Sequence, residues 1–419
     1  MIDYKLHTPE GVKDYLPDEC TVLHEAEKRI EDVFRKHSFR RVKSPTFEYI
    51  EVFRGARSVG DREMFKFIDR DGSLLALRSD VTLAVARIAA TAYQKEDMPL
   101  RFYYIDNAFR YNDNYQGKLR EFTQAGIELI GSDCVEADAE VAAVAVKSLI
   151  AAGLKDFKVN IGHIDFFNGI VEETGLDEES RQKIRESITS KNFVEVDDIV
   201  KNSGADEKVK KIIFDLPLLI GNTEMTAKVK SMITNKKALK AIENIEAVYE
   251  ILKEYKLEKY INIDLSTIGS FEYYTGIILR GYTYGTGFSV IDGGRYDGLL
   301  ANYGCDVPSV GFAVKMNELV SALEYQSVKY DLKEGKTLIV YNKESRKTAI
   351  ETADYLRRKG TAAENSLLGE DIEKNKAYAI KNNIGGILYF LDNENVKVIS
   401  IKNNTENIVN ISELTGREN

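Results

Sequence analysis

The sequence has few cysteines, no long apolar run and no excess of positive charge, and each shortage excludes a class of protein. Its three cysteines are scattered and odd in number, which is typical of a reducing compartment and fits neither a disulfide framework nor a zinc site. The longest apolar runs, such as DLPLLIG at residues 215–221, are far too short to span a bilayer. The N-terminus MIDYKLHTPEG has no apolar core of a secretory signal, so we expect a cytoplasmic protein.

The charge balance argues against a nucleic-acid partner, because the net charge is −9 and phosphates must be met by lysine and arginine. The histidines His7, His24, His37 and His163 lie far apart in the sequence. Each is more simply a surface or packing residue than a metal ligand. We therefore expect neither a metal site nor a nucleic-acid interface.

The length of 419 residues is too great for one ordinary domain. A lysine- and glutamate-rich stretch with helical periodicity, at about residues 175–257, predicts a helical insertion within a core of residues 1–325. Alternating strand and helix patterns after a polar linker predict a small α/β domain at residues 332–419.

Local patterns predict several elements of the core. The apolar stripe Leu23, Ala26, Ile30, Val33 and His37 has the three- and four-residue spacing of an amphipathic helix. Two strand-like runs, RFYYIDNAFRYN and EFTQAGIELIG, flank a polar loop at residues 112–118 and predict an antiparallel pair.

The second of these strands carries a carboxylate among apolar residues. Because strand side chains alternate, Gln124, Gly126 and Glu128 share one face. Burial of such a carboxylate costs several kcal/mol unless it meets a cation or hydrogen-bond donors. A structural ion pair with Arg110, on the partner strand, is as good an interpretation of the spacing as a ligand site.

Two glycine-rich strings are candidates for contact with a ligand. GYTYGTG at residues 281–287 lacks the strand-then-helix setting of a phosphate loop, so a hairpin is the favoured interpretation. In GGRYDGL at residues 293–299, paired glycines allow the backbone to approach a ligand closely. The chain has no Walker loop, G-x-S-x-G or H-E-x-x-H motif. From the residues alone we predict an α/β ligand-binding protein.

An ordered set of motifs is more specific. The set comprises TPEGVKDYLPDE, LRSDVT (77–82), FRYNDNYQGKLREFTQAGIELIG (109–131), EYYTG (272–276), GGRYDGL and GFAVKMNEL (311–319). Together these motifs resemble histidyl-tRNA synthetase, over residues 5 to about 325. The resemblance implies an α+β class II synthetase-like fold, with a mainly antiparallel sheet flanked by helices, and a dimer formed through the first motif.

The resemblance also implies a histidine pocket. The positions that match its contacts are Asp80, Thr82, Arg110, Gln124, Glu128, Tyr273, Tyr274 and Tyr296. Asp80 stands where the synthetase has glutamate, which keeps the charge on a shorter arm.

The positions that would serve ATP depart from the synthetase pattern. Asn112 and Asp113 replace a glutamate and an arginine of the second motif, and Gly269 replaces a catalytic arginine. Glu318, preceded by Asn317, stands at the arginine that would grip a phosphate of ATP. Exchange of arginine for glutamate replaces attraction of a polyanion by repulsion. We therefore expect no catalytic residues and no aminoacylation.

A histidine pocket without ATP-binding residues resembles the regulatory subunits of ATP phosphoribosyltransferase, paralogues of the synthetase that serve the first step of histidine biosynthesis. This resemblance implies feedback control by L-histidine, a short-form catalytic subunit as partner, a homodimer within a hetero-oligomer, and no cofactor. Two alternatives remain: an active histidyl-tRNA synthetase, and a synthetase-like protein with another substrate or an unrelated partner.

Overall fold

The computed structural model describes residues 4–54, 60–111, 117–190, 192–268, 273–330 and 335–415. By internal contacts the chain divides into two compact units, Met1–Lys329 and Tyr330–Asn419. This division falls between the predicted end of the first domain and the predicted start of the second.

Strands of the larger unit form a main sheet and a small separate one. They are β1 (Arg40–Arg41), β2 (Phe47–Tyr49), β3 (Lys66–Ile68), β4 (Leu74–Leu77), β5 (Leu100–Phe109), β6 (Glu121–Ile130), β7 (Phe157–His163), β8 (Ile220–Gly221), β9 (Ile261–Asp264), β10 (Ile277–Thr283), β11 (Ile291–Arg295) and β12 (Ser309–Lys315). The main sheet has the order β1-β5-β6-β12-β11-β10-β7-β9-β8. Its β1–β5 and β7–β9 pairs are parallel and its other pairs are antiparallel.

Helices flank this sheet. They are α1 (Pro17–Lys36), α2 (Glu51–Arg54), α3 (Val81–Ala92), α4 (Val135–Ala151), α5 (Ile164–Glu172), α6 (Glu178–Thr189), α7 (Phe193–Lys201), α8 (Glu207–Asp215), α9 (Thr223–Lys230), α10 (Lys236–Glu254) and α11 (Met316–Tyr325). Helix α4 packs between α1 and α10 and against β6 and β12. The arrangement confirms the predicted mainly antiparallel sheet flanked by helices.

The predicted stripe of the first helix needs one correction. The buried side chains of α1 are Ala26, Ile30 and Phe34, whereas Leu23 and Val33 are only half-buried. The ring of Phe34 lies 5.8 Å from that of Tyr103. This aromatic contact with β5 places Phe34, which the predicted stripe did not include, on the buried face of the helix.

The β5–β6 pair sets the two faces of the sheet. Glu128 lies opposite Phe102 and Gly311, and Ile127 lies opposite Tyr103. Because paired residues share a face, Ile127 faces α1 and the helical layer, while Glu128 faces away from it. The predicted antiparallel pair and its alternation are confirmed. Residues 112–116 of the predicted connecting loop lie outside the described residues.

The predicted insertion at about residues 175–257 contains α6 to α10. The sequence did not predict β8, which pairs antiparallel with the end of β9 at the edge of the main sheet. Helix α10 packs against α4 and α5, so it also completes the core. Among the described residues, no helix has the length and apolar character needed to cross a bilayer.

The smaller unit is an α/β domain, as predicted. Its elements are β13 (Thr337–Val340), α12 (Arg346–Arg358), β14 (Ala363–Asn365), α13 (Ile372–Lys381), β15 (Gly386–Phe390), β16 (Asn395–Ser400), β17 (Thr405–Asn410) and α14 (Ile411–Thr415). The sheet order is β14-β13-β15-β16-β17, and β13 is parallel to both of its neighbours. Alternate residues of β13 enter two apolar clusters: Ile339 joins one, and Leu338 and Val340 join the other. A parallel strand buried on both faces is typical of this fold class.

Candidate functional site

A cavity of about 380 Å³ opens on the sheet face that points away from α1. Among the predicted site residues, those that line it are Asp80, Thr82, Arg110, Gln124, Glu128, Tyr274 and Tyr296. Tyr273 does not line the cavity. Its ring packs against two tyrosines that do line the cavity: the ring centroid lies 4.9 Å from that of Tyr274 and 5.9 Å from that of Tyr296. Residues distant in sequence are thus gathered around one space of the size of a small metabolite.

Glu128 is as deeply buried as Asp80, with 1% of its surface exposed. Its Oε1 accepts a hydrogen bond of 3.2 Å from the Tyr104 hydroxyl, and its Oε2 accepts one from Tyr296. Burial raises the pKa of Glu128 to about 8, although the hydroxyl donors oppose that shift. Near neutral pH the carboxyl is therefore poised between its two forms.

The interpretation of Glu128 as half of an ion pair with Arg110 is wrong. Arg110 instead forms an ion pair with Asp80, in which Nη2 lies 3.3 Å from Oδ2. Register explains the difference: Arg110 lies at the loop end of the hairpin, where its backbone amide bonds to Arg120, whereas Glu128 is opposite Phe102. Among the described residues, no cation forms an ion pair with Glu128, so a ligand could supply one.

A glycine creates the space that Glu128 fills. A Cβ at Gly311 would overlap Glu128 Oε2 and the backbone oxygen of Ile127. Similarly, a Cβ at Gly126 would meet the Tyr104 hydroxyl at 2.5 Å. The face predicted for Gln124, Gly126 and Glu128 therefore carries the carboxyl of Glu128. On the same face, Gly126 leaves the space that the Tyr104 hydroxyl occupies when it donates to this carboxyl.

The N-terminus of α3 forms a second polar cluster. Asp80 caps the helix and accepts from the Thr82 amide at 3.2 Å, and Gln124 accepts from the Val81 amide at 3.1 Å. Arg110 donates to the Ser79 carbonyl at 2.8 Å. The cavity wall thus holds the buried carboxylate of Asp80 beside the half-buried guanidinium of Arg110. A ligand's ammonium group could bind the carboxylate, and a ligand's carboxylate could bind the guanidinium.

The tyrosines supply hydroxyl groups that stay protonated. Burial, reinforced by nearby carboxylates, raises the pKa values of Tyr104, Tyr274 and Tyr296 well above their usual range. The Thr82 and Tyr104 hydroxyls lie 3.3 Å apart, so hydroxyls link the Asp80 and Glu128 regions. These groups can donate or accept without a change of charge.

A charged cluster at the other end of the cavity was missed by the sequence analysis. Asp292 meets Lys315 at 2.5 Å and Arg280 at 3.5 Å, and it accepts from Ser289 at 2.8 Å. Burial opposes ionisation of Asp292, but the two cations hold its pKa below the usual value. The sequence did contain a signal for this cluster: Arg280 and Asp292 lie on either side of the predicted glycine hairpin, where a cation and a carboxylate can pair across the two strands.

The residues that replace the ATP-binding pattern take part in internal hydrogen bonds. Asn317 bonds to the Tyr15 hydroxyl through Nδ2 and accepts from the Thr123 amide at 2.9 Å. Glu318 accepts from the hydroxyl of Thr286, in the loop between β10 and β11. This loop belongs to an antiparallel hairpin, as GYTYGTG predicted. The other departures, Asn112, Asp113 and Gly269, lie outside the described residues.

This constellation is suited to binding a small polar molecule. Its acidic groups Asp80 and Glu128 can meet cationic or N–H groups, and Arg110 can meet a carboxylate. Within the described part of the chain, no group of three or more histidine, cysteine, aspartate and glutamate residues could hold a metal ion.

The chain is similar to known proteins over most of its length. Residues 11–319 match the family model described as histidyl-tRNA synthetase. Proteins named ATP phosphoribosyltransferase regulatory subunit are 41% identical in Acetivibrio thermocellus, over 99% of each chain, and 39% identical in Ruminiclostridium cellulolyticum, over 96% of this chain and 97% of that one.

Solved structures show the same fold. One from Bacillus halodurans, described as an ATP phosphoribosyltransferase regulatory subunit/histidyl-tRNA synthetase, has a TM-score of 0.82 at 29% identity, over 93% of this chain and 99% of that one. A histidyl-tRNA synthetase from a Nostoc species has the same TM-score at 18% identity, over 99% of this chain and 98% of that one. These matches confirm the predicted class II synthetase-like fold.

Proposed function

The chain belongs to the histidyl-tRNA synthetase family, among the ATP phosphoribosyltransferase regulatory subunits, and on this premise we propose that it senses L-histidine for a phosphoribosyltransferase complex. In this role it serves the first step of histidine biosynthesis, in the cytoplasm. Histidine occupies the cavity and lowers the activity of a short-form catalytic subunit to which the chain binds.

The observation that carries the proposal is the contrast between the two ends of the cavity. At one end Glu128 is buried with tyrosine donors, which suits an N–H or cationic group of a ligand. At the other end a carboxylate, Glu318, stands where the synthetase pattern has arginine. Such a cavity favours an amino acid and disfavours a triphosphate, because Arg280 and Lys315 are already paired with Asp292, and Glu318 replaces a cation that a polyanion needs.

Histidine has groups that complement the retained end. Its imidazole or its ammonium can bind Glu128 and Asp80, and its carboxylate can bind Arg110. The side chain of Arg110 is 20% exposed, so a ligand in the cavity can reach it. Regulation then requires only that the complex bind histidine unequally in its active and inactive states.

We also propose that the chain forms a homodimer within the complex, through the sheet β2-β4-β3. One face of this small sheet exposes apolar side chains: the exposed fractions are 52% for Phe47, 60% for Tyr49 and 39% for Phe67. Phe47 and Phe67 meet edge to face at 5.6 Å. A contiguous apolar face of this kind marks an interaction surface.

The test is to mix the purified chain with a short-form catalytic subunit. We expect the two to elute together in size-exclusion chromatography, and we expect the complex to convert ATP and phosphoribosyl pyrophosphate at a rate that histidine lowers. The catalytic subunit alone should be less active or less sensitive to histidine. Separate elution, with neither rate nor inhibition altered by mixing, would reject the proposal in favour of an unrelated partner.

A further inference from the structure

The loop at residues 284–290 forms one wall of the cavity, to which it contributes Gly287, Phe288 and Ser289. It connects β10 to β11 and contains two glycines, so its backbone is intrinsically free to move. Its position over the cavity must therefore be fixed by contacts from elsewhere.

Thr286 is the centre of those contacts. Its hydroxyl accepts from the Phe288 amide at 3.2 Å and donates to the carboxylate of Glu318. Glu318 lies in the first turn of α11, where a negative charge is favoured by the helix dipole. One hydroxyl thus shapes the loop internally and ties it to a rigid element.

Two further contacts support the same position. The Lys118 ammonium lies 5.0 Å from the centroid of the Phe288 ring, so the second-motif hairpin touches the loop from the other side. Gly285 has φ +89° and lies against Tyr325 of α11, where a Cβ would overlap the tyrosine side chain. Ser289 also donates to Asp292 at 2.8 Å and accepts from Lys315 at 2.9 Å, but it holds the end of the loop next to β11. The bond from Thr286 to Glu318 is the corresponding charge-assisted contact in the middle of the loop.

We propose that Glu318 and Thr286 form a latch that holds the loop at residues 284–290 over the cavity and sets how long a bound amino acid stays. Both are positioning residues: Glu318 acts on the ligand through Thr286 and the loop. The ligand's identity as histidine rests on the proposed function, whereas the latch itself does not. Glu318 thus positions the loop, in addition to replacing the arginine that would bind a phosphate of ATP.

The experiment uses two readouts on the full chain. Hydrogen–deuterium exchange of the loop amides in ligand-free protein reports opening directly. Stopped-flow fluorescence reports histidine dissociation. Because the chain contains no tryptophan, a Tyr284→Trp background supplies a single reporter on the loop, at an exposed position that does not line the cavity. Calorimetry checks that this background preserves the affinity for histidine.

Glu318→Ala and Thr286→Val should each speed loop exchange and histidine dissociation by about ten- to a hundredfold, the range expected for loss of a hydrogen bond to a charged group. The double variant should be no faster than the faster single variant, because both changes remove one contact. Thr286→Ser keeps the hydroxyl and its charged acceptor, so it should stay within about threefold of the unaltered chain. Glu318→Gln keeps an acceptor without its charge, so its rates should lie between those of the unaltered chain and those of Glu318→Ala.

Unchanged loop exchange in Thr286→Val would overturn the latch. A faster rate in Glu318→Ala without one in Thr286→Val would also overturn it, because Glu318 would then act through another contact. Failure of the unaltered chain to bind histidine would reject the proposed function instead. The exchange measurement needs no ligand and would still decide whether the latch exists.

Discussion

Replacement of Glu128 by glutamine is expected to stabilise the empty protein at alkaline pH and to weaken its binding of histidine. The two effects have one cause. The cavity keeps a carboxylate where burial penalises its charge, and only a ligand that brings an N–H or cationic group compensates for that penalty. Glutamine keeps the shape and removes the charge: its oxygen can accept from one of the tyrosines Tyr104 and Tyr296, and its amide N–H can donate to the hydroxyl oxygen of the other.

The direction of the pH effect follows from the pKa. Burial raises the pKa of Glu128 from 4.5 to about 8, so the folded state binds more protons than the unfolded state between these values. The contribution of Glu128 to the free energy of unfolding therefore falls as pH rises through this window and is lowest above pH 8. Since each pKa unit corresponds to about 1.4 kcal/mol, the penalty at pH 9 is on the order of a few kcal/mol.

Urea unfolding at pH 6 and pH 9 measures this penalty, and calorimetry measures the affinity for histidine. Relative to the unaltered chain, Glu128→Gln should gain stability at pH 9 more than at pH 6, and its affinity should fall by at least about tenfold. Glu121→Gln, on the same strand but outside the cavity, is the matched control and should do neither. Equal affinity in Glu128→Gln and the unaltered chain would refute the assignment of this carboxyl.

Three further predictions concern the same cavity. Histidine binding near pH 7, below the pKa of about 8 for Glu128, should release a proton as this carboxyl ionises against the ligand, so the calorimetric enthalpy should vary with the ionisation enthalpy of the buffer; an enthalpy independent of buffer would contradict this. Gly311→Ala should lower both the free energy of unfolding, by about 1–3 kcal/mol, and the affinity for histidine, because its Cβ overlaps Glu128. Gly298→Ala, with nothing within 4 Å, is its control in urea unfolding. The chain should show no histidine-dependent pyrophosphate exchange, and Glu318→Arg alone should not create it, because Asn112, Asp113 and Gly269 still lack the synthetase's groups.

The central hairpin could be predicted because its signal is local. Alternation in EFTQAGIELIG places Gln124 and Glu128 on one face, and the polar loop before it fixes an antiparallel partner. The error over the partner of Glu128 was avoidable. Counting back from the loop places Arg110 near Arg120, far from Glu128, since residues pair at equal distances from a hairpin loop.

Other features depend on long-range pairing that no local pattern contains. Tyr104 donates to Glu128 only because Gly126 leaves room for its ring beside the carboxyl. The cluster of Arg280, Asp292 and Lys315 requires the register of three strands at once. The sheet β2-β4-β3 has strands of three or four residues, which are too short for any periodicity to be detected.

The resemblance to the synthetase family gave the site residues as a set, and the geometry explains how they could act together. Asp80, Arg110 and Gln124 organise the start of α3, while Glu128 stands deeper among tyrosines. The substituted position Glu318 could be identified from the motif, but its contact with Thr286 could not, because that contact joins a helix to a loop whose conformation is set by tertiary packing.

The most direct test of histidine sensing is inhibition of a reconstituted complex that contains the Glu128→Gln chain. Turnover of ATP and phosphoribosyl pyrophosphate is measured over a range of histidine concentrations, beside a complex with the unaltered chain. The account predicts that both complexes are active and that the histidine concentration for half-inhibition rises by at least about tenfold in the variant. Equal inhibition of the two complexes would contradict the claim that this cavity is the sensor.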